Sequence, residues 1–282
     1  MRHQRRNSIL LHVAAIIVAV LILLPFAWMV EASFAPQRDL VSRPMRWIPS
    51  EIDLSRYVEI FQGGEGSVGS TFRAAMVNST IVAVSVVAIA MVVGVLGAYA
   101  FARLRFPFRK ATLMVFLATY MLPQIALLIP LYFILNALGM LNTLVGLILV
   151  DSSLVIPFTL WILSNYFVTI PDELEEAARI DGTSRVGALF RIILPSAKPG
   201  IFAAMMFAFL LAWDEFMYAL IFTSSDAAKT LPVAISEFAG RYTTDFGLVA
   251  AGGILAAIPP IVIAVIFQRY VVSGMGVGAV KG

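Results

Sequence analysis

Apolar residues in this chain gather into long runs and are not scattered. Runs near 9–30, 75–101, 111–135, 144–167, 201–223 and 247–269 are each long enough to cross a bilayer, which takes about 20 helical residues. The pattern predicts an all-α membrane protein with six transmembrane helices. Polar stretches separate them: residues 1–8, a loop at 31–74, a basic turn at 103–110, a turn at 136–143, a charged segment at 169–199 and a tail at 271–282. Spans two to six, with the charged segment between the fourth and fifth, form a core over 75–270.

The first run follows Arg2, Arg5 and Arg6, as a secretory signal would. Its apolar stretch is longer than the roughly 7–15 residues of a cleaved signal, which favours an uncleaved anchor. Val30-Glu31-Ala32 is the alternative, a weak cleavage site. Lys and Arg accumulate in cytoplasmic loops. Arg103, Arg105, Arg109 and Lys110 form a compact basic turn, and Arg179, Arg185, Arg191 and Lys198 follow in the 169–199 segment. With an even number of spans, these segments, residues 1–8 and the tail share the cytoplasmic side. The outer loops hold seven: Arg38, Arg43, Arg46, Arg56 and Arg73 in the first, none at 136–143, and Lys229 and Arg241 between the fifth and sixth spans.

Composition agrees with a membrane class. The chain is 60% hydrophobic and 13% charged, where soluble domains carry roughly a quarter charged residues. It has no cysteine, and its two histidines, His3 and His12, lie near the N-terminus. Disulfides, thiol nucleophiles and thiolate metal sites are therefore excluded, and the histidines offer no clustered ligand set. A net charge of +3 is explained by loop orientation, with no call for a nucleic-acid partner.

Within the 31–74 loop, Leu54, Tyr57, Val58 and Phe61 recur at the spacing of one helical face, with Ser50 and Asp53 as a capping pair. The predicted short helix lies on the outer membrane surface or on the rest of the protein, or else docks an external partner.

Residues 169–195 predict a helical hairpin. Thr169 and Asp172 make an S/T-x-x-D cap, Pro171 suits a first turn, and Asp172, Glu173, Glu175 and Glu176 favour the positive end of the helix dipole. Asp181-Gly182 stops the helix, since glycine takes the left-handed conformation wanted there. Val186, Leu189, Phe190 and Ile193 stripe a second helix, which Pro195 ends, and Pro199 opens span five. Ala177 and Ala178 would let a partner surface approach closely. The charge run alone also fits a solvated connector. A DNA-reading helix-turn-helix is disfavoured by the acidic start and the membrane tether at both ends.

Glu176, Ala177, Ala178, Gly182, Ile192, Leu194 and Pro195 fall without a gap on E-A-A-x3-G-x9-I-x-L-P, with Asp181 beside the glycine. The segment resembles the EAA loop of binding-protein-dependent ABC importer permeases. Further stretches resemble the sugar and polyol branch of that family, of the maltose-transporter type. These are Met121-Leu122-Pro123, Pro130-Leu131-Tyr132, Leu138 to Thr143, Gly146 to Leu149, and the tail from Ser273 to Gly282. Ala212-Trp213-Asp214-Glu215-Phe216 is similar to a recurring Ala-Trp-Asn-Glu-Phe segment, with aspartate here in place of asparagine.

The resemblance implies the type I importer permease fold in a prokaryotic cytoplasmic (inner) membrane. It implies pairing with a second, homologous permease, two cytoplasmic ATPase subunits and an extracytoplasmic solute-binding protein. The EAA hairpin would then be the coupling helix in an ATPase cleft, driving alternating access. It implies no cofactor in this chain, ATP and Mg being bound by the ATPases. Independently, no glycine here precedes lysine, so G-x-x-x-x-G-K-[ST] is absent.

Ionisable residues within spans are functional candidates by default. Asp151, Asp214 and Glu215, with Trp213 and Tyr218 beside the acidic pair, are the candidate substrate pathway. Carboxylates accept sugar hydroxyls and aromatics stack on sugar rings. Hydration of Asp151 near its span's outer end, or contacts of Asp214 and Glu215 to a partner subunit, are the structural alternatives. Pro123, Pro130, Pro157 and Pro259-Pro260 interrupt spans. Asn78-Ser79-Thr80 matches a glycosylation acceptor but reads as a helix start. An ion-gradient-driven secondary transporter coupled through the three carboxylates is the second hypothesis. A membrane enzyme, lacking thiol, bundle histidine or His-Glu-x-x-His, is the third.

Overall fold

The structure, a computed structural model, describes residues 2–44, 46–239 and 245–276. The side chains of Arg2, Arg5 and Arg6 and the last six residues of the tail signature lie outside the described residues. Among the described residues there are helices and no strands. They are α1 (Arg2–Phe34), α2 (Gln37–Leu40), α3 (Ser55–Gln62), α4 (Val68–Arg103), α5 (Arg109–Tyr120), α6 (Gln124–Ala137) and α7 (Leu144–Val168). Then come α8 (Asp172–Ile180), α9 (Arg185–Ala188), a π-helical turn (Leu189–Ile193), α10 (Leu194–Ser196), α11 (Lys198–Trp213), α12 (Met217–Phe222), α13 (Leu231–Phe238) and α14 (Phe246–Gly276).

Among the described residues, five stretches are long and apolar enough to cross a membrane: Ile9–Phe34, Val68–Arg103, Leu144–Val168, Lys198–Phe222 and Phe246–Tyr270. The third expected span, 111–135, is not one straight helix. It divides into α5 and α6, bent by 91° at Met121–Pro123. Proline removes a backbone donor and pushes the residue before it out of the helical region, so the break falls where Met121-Leu122-Pro123 places it. Pro130, Pro157, Pro259 and Pro260 instead lie inside helices.

The chain forms two units, Met1–Arg73 with Ala234–Ala257, and Ala74–Val233 with Ile258–Gly282. In the first, α3 does not bury the expected face. Arg56 and Ile60 are buried, while Leu54, Val58 and Phe61 are exposed. The arginine is recruited inward by ion pairing: its Nε donates to Asp245 Oδ1 at 3.0 Å, and its NH1 to the Ala35 carbonyl at 2.6 Å. Tyr57 stacks on Phe34 at 5.3 Å. The expected Ser50–Asp53 cap is also absent. Asp53 accepts from the Ser55 amide two residues on. Ser50 turns to Asp39, whose Oδ2 accepts its hydroxyl at 2.6 Å and its amide at 2.7 Å. Those two bonds, hydroxyl first, hold the Asp39 carboxyl below its ordinary range.

In the second unit α7 is the central helix, with α5 and α11 packed against it and α12 against α6 and α7. Helix α4 meets α7 through Gly94 and Gly97. A β-carbon on Gly94 would lie 2.9 Å from Thr159 Cγ2, and one on Gly97 2.7 Å from Leu160 Cδ1. Small residues are what allow membrane helices this approach. Asn78 is not a surface acceptor. It is buried within α4, donating to the Asp226 and Lys229 carbonyls at 2.9 Å each. Asn142, in the left-handed region at φ 56°, ties the turn before α7 to the end of α12. Its amide donates to the Phe222 carbonyl, and its Oδ1 accepts from the Ser224 and Ser225 amides.

Candidate functional site

The hairpin forms as the sequence predicts, but its capping differs. Thr169 ends α7, its hydroxyl donating to the Tyr166 carbonyl, and no side chain caps α8, whose N-cap is Pro171. Gly182, at φ +85°, closes α8. The Thr183 amide reaches the Ala178 carbonyl at 2.9 Å and the Gly182 amide the Arg179 carbonyl at 3.1 Å, a full Schellman motif. Ser184 caps the second arm by accepting from the Gly187 amide. That arm does not end at Pro195. It runs through a π turn to Ser196, and α11 opens with Pro199 in its first turn. The wider turn rotates the expected stripe apart, leaving Leu189 and Ile193 buried and Val186 and Phe190 exposed.

The EAA residues divide between two faces of α8. Glu176 and Ala177 are exposed, with Asp181 and Gly182 at the tip. Ala178 is buried and packs against its own chain. On the second arm Ile192 and Leu194 are half-buried and Pro195 is exposed. The apolar side chains Leu174, Ile180, Val186 and Phe190 add an exposed surface to the hairpin.

The inward face is held by Tyr99, which sequence reasoning missed, and by Arg103, Asp172 and Glu175 in a role it did not assign them. Arg103, at the end of α4, is only 6% exposed and pairs with Asp172 and, at 3.7 Å, with Glu175. Its NH2 donates to the Ile170 carbonyl at 2.6 Å and the Phe167 carbonyl at 3.1 Å. Tyr99 OH, one turn earlier on α4, donates to Glu175 Oε1 at 2.6 Å. One arginine thus joins the end of α4, the end of α7 and the start of α8. The available signal was Tyr99 and Arg103 four residues apart where an apolar run ends, facing an acidic helix start.

The candidate pathway residues separate. Asp151, Asp214 and Glu215 line one cavity of about 630 Å³, whereas Trp213 and Tyr218 are core residues. Trp213 stacks on Phe209 at 5.4 Å, and Tyr218 on Phe222 at 5.5 Å. Both interruptions of the apolar helices open onto this cavity. Tyr120, Leu122 and Gln124 come from the α5–α6 break, and Asp214, Glu215, Phe216 and Met217 from the gap between α11 and α12. Irregular backbone at membrane depth is tolerated where it lines a cavity or is buried in protein.

Glu215 has a structural task at its break. Its Oε1 accepts from the Tyr218 amide at 2.8 Å and its Oε2 from the Ala219 amide at 3.0 Å, capping α12. Asp151 is different: 3% exposed, with Oδ1 meeting no partner among the described residues. Phe158, stacked on Tyr120 at 5.6 Å, and Phe207, edge-on to Phe158, add an aromatic wall. Gln124 and these aromatics carry no charge or motif, which is why sequence alone passed over them. No group of three or more metal-ligating side chains occurs among the described residues.

Apolar helices, two of them broken around a shared cavity, with a hairpin locked to their ends, define a membrane permease. Residues 90–277 match the family of binding-protein-dependent transport system inner membrane components, and the chain belongs to that family. It is 36% identical over 270 residues to the sulfoquinovosyl glycerol transport system permease protein SmoH of Agrobacterium fabrum, covering 96% of this chain and 93% of that protein. It is 36% identical over 283 residues to the trehalose/maltose transport system permease protein MalG of Thermococcus litoralis, covering 100% of both. In fold it is similar to a chain of a bacterial ABC transporter for the acidic polysaccharide alginate. The TM-score is 0.78 at 23% identity, over 96% of this chain and 98% of that one. The chain is thus a non-catalytic permease subunit, and the secondary-transporter and enzyme hypotheses fall.

Proposed function

We propose that this chain is one of two permeases of an ATP-driven importer for a sugar or related polyol, and that Glu176, Ala177, Asp181 and Gly182 present its coupling surface to an ATPase. The observation that carries this is the division of α8: an exposed face bearing the motif, backed by a face locked through Arg103 to α4 and α7. A push on such a helix moves two apolar helices with it. Ala178, Ile192, Leu194 and Pro195 shape the hairpin from within or beside that face.

The carbohydrate class is supported by relatives named for sulfoquinovosyl glycerol and for trehalose and maltose. The partners are a second homologous permease, two ATPase subunits that hold ATP and Mg, and an extracytoplasmic solute-binding protein. The hairpin and both termini lie on the cytoplasmic side of a prokaryotic inner membrane. The cavity containing Asp151 and Asp214 is this subunit's share of the pathway. Trp213 and Tyr218 act there as packing.

The test is to purify the chain with the products of neighbouring genes, reconstitute them in liposomes, and measure ATP hydrolysis with and without the substrate-loaded binding protein. Stimulation is expected, and Glu176→Lys should abolish both stimulation and uptake while co-purification is retained. Uptake by the lone chain under an ion gradient, or full coupling in Glu176→Lys, would overturn the proposal.

A further inference from the structure

The 630 Å³ cavity has a charge character that neither its motif nor its relatives assign. Three carboxyl groups line it, Asp151, Asp214 and Glu215, and no lysine, arginine or histidine does. They are not equivalent. Glu215 spends both oxygens on the amides that begin α12. Asp151 is buried with an unpartnered Oδ1, and Asp214 is exposed on the cavity wall where the recurring segment has asparagine. Whichever protonation state each adopts, none supplies positive charge.

From this we infer that the cavity passes uncharged or amine-bearing sugars and excludes those carrying a carboxylate, sulfonate or phosphate. Asp151 and Asp214 are its specificity-determining residues. A buried polar oxygen without a partner is costly unless something arriving there pairs with it. Asp151 must turn its Oδ1 into the cavity to be paired; Asp214, already exposed on the wall, accepts from a sugar hydroxyl or ammonium directly, and Gln124 offers a further hydrogen bond from the other helix break. Phe158 and Tyr120 present apolar faces for a ring. An anionic substituent finds no cation to neutralise it, and an ionised Asp151 or Asp214 repels it. A low-dielectric cleft lined by one sign of charge focuses that effect. The relative named for a sulfonated sugar and the fold neighbour named for an acidic polysaccharide handle the opposite charge class. The chain should therefore differ from them at this cavity.

The inference rests on the permease function proposed above, but its test does not need the natural substrate or the binding protein. The chain has no cysteine of its own. Leu154→Cys or Leu211→Cys, both on the cavity wall, is placed in the complete complex, alongside Ile52→Cys between α2 and α3 as reference. Each is reacted with trimethylammonioethyl and with sulfonatoethyl methanethiosulfonate, with and without nucleotide trapping, and this subunit's mass is followed. Relative to the reference, the cationic reagent should be favoured about tenfold in the cavity, and Asp151→Asn with Asp214→Asn should remove that preference. Equal rates, a preference for the sulfonate, or a preference that survives the double substitution would each overturn the inference. So would failure of both reagents to react in every state, since a closed cavity passes nothing. Binding-protein-stimulated ATP hydrolysis, measured on the same preparations, reports separately on the permease function.

Discussion

Arg103 is the residue on which the hairpin's attachment turns. Its guanidinium meets two carboxylates of α8 and two carbonyls at the end of α7, and it is almost wholly buried while doing so. Asp172 is largely exposed, so that half of the interaction is screened and adds little. If the guanidinium is removed, Glu175 keeps only the Tyr99 hydroxyl, the Phe167 carbonyl keeps the Ile170 amide, and the Ile170 carbonyl loses its 2.6 Å donor. Truncating one partner of a buried, hydrogen-bonded charge costs about 3–5 kcal/mol, and here the lower end applies because the network opens to water on the Asp172 side. Arg103→Ala should therefore lower the thermal midpoint of the assembled complex. It should also raise ATP hydrolysis that no longer tracks uptake, because the hairpin can move without its helices. Arg103→Lys keeps the charge but not the fork that reaches both α7 carbonyls, so it should restore stability more fully than coupling. If Arg103→Ala leaves the ratio of ATP hydrolysed to substrate imported unchanged, the arginine is a structural contact and no more.

At the scale of elements, the hairpin's geometry depends on one left-handed residue. Gly182 sits at φ +85° with open space around it, so only backbone conformation restricts the position. A β-branched residue in that region costs about 1–2 kcal/mol, and the Schellman bonds would have to give way to avoid it. Gly182→Val should lose most uptake while the complex still assembles. Gly64→Val, at another open glycine but without positive φ, should be close to neutral. Uptake assays on the pair check this. The same residue illustrates what was legible from sequence. Local chemistry that acts over a few residues could be read directly: the glycine stop, the proline break at Leu122-Pro123, the lengths of the apolar runs, the exposed Glu176 and Ala177. Interactions that reach across the chain could not. Nothing in the period of α3 says that Arg56 will be drawn inward by Asp245, 189 residues away, against the apolar stripe. Nothing in the stripe of the second arm announces the π turn that rotates Phe190 out and Ile193 in. Asp151 and Asp214 could be picked out as charges at membrane depth, but Tyr120 and Gln124 enter only because two separate breaks face one cavity. Trp213 and Tyr218 were chosen by adjacency along the chain, and on a helix adjacent residues point in different directions.

For the whole molecule, the decisive matter is which side of the membrane the hairpin occupies. The distribution of Lys and Arg places it with the basic turn at 103–110, and Arg103 now joins those two segments physically, so they cannot lie on opposite sides. Because the chain lacks cysteine, single cysteines report its topology. Ile180→Cys, at 86% exposure on the hairpin, should react with a membrane-impermeant maleimide in inside-out vesicles and not in intact spheroplasts. Ile52→Cys, at 77% exposure between α2 and α3, should do the reverse. Adding the ATPase subunits should then slow labelling of Ile180→Cys and leave Ile52→Cys unaffected. The two halves of that result carry different weight. Labelling of Ile180→Cys from outside would place the motif where no ATP-hydrolysing partner can reach it. Labelling from inside that is indifferent to the ATPase would leave the orientation intact but deny Ile180 a place in the docking surface, moving the contact to the Glu176 and Ala177 side of α8.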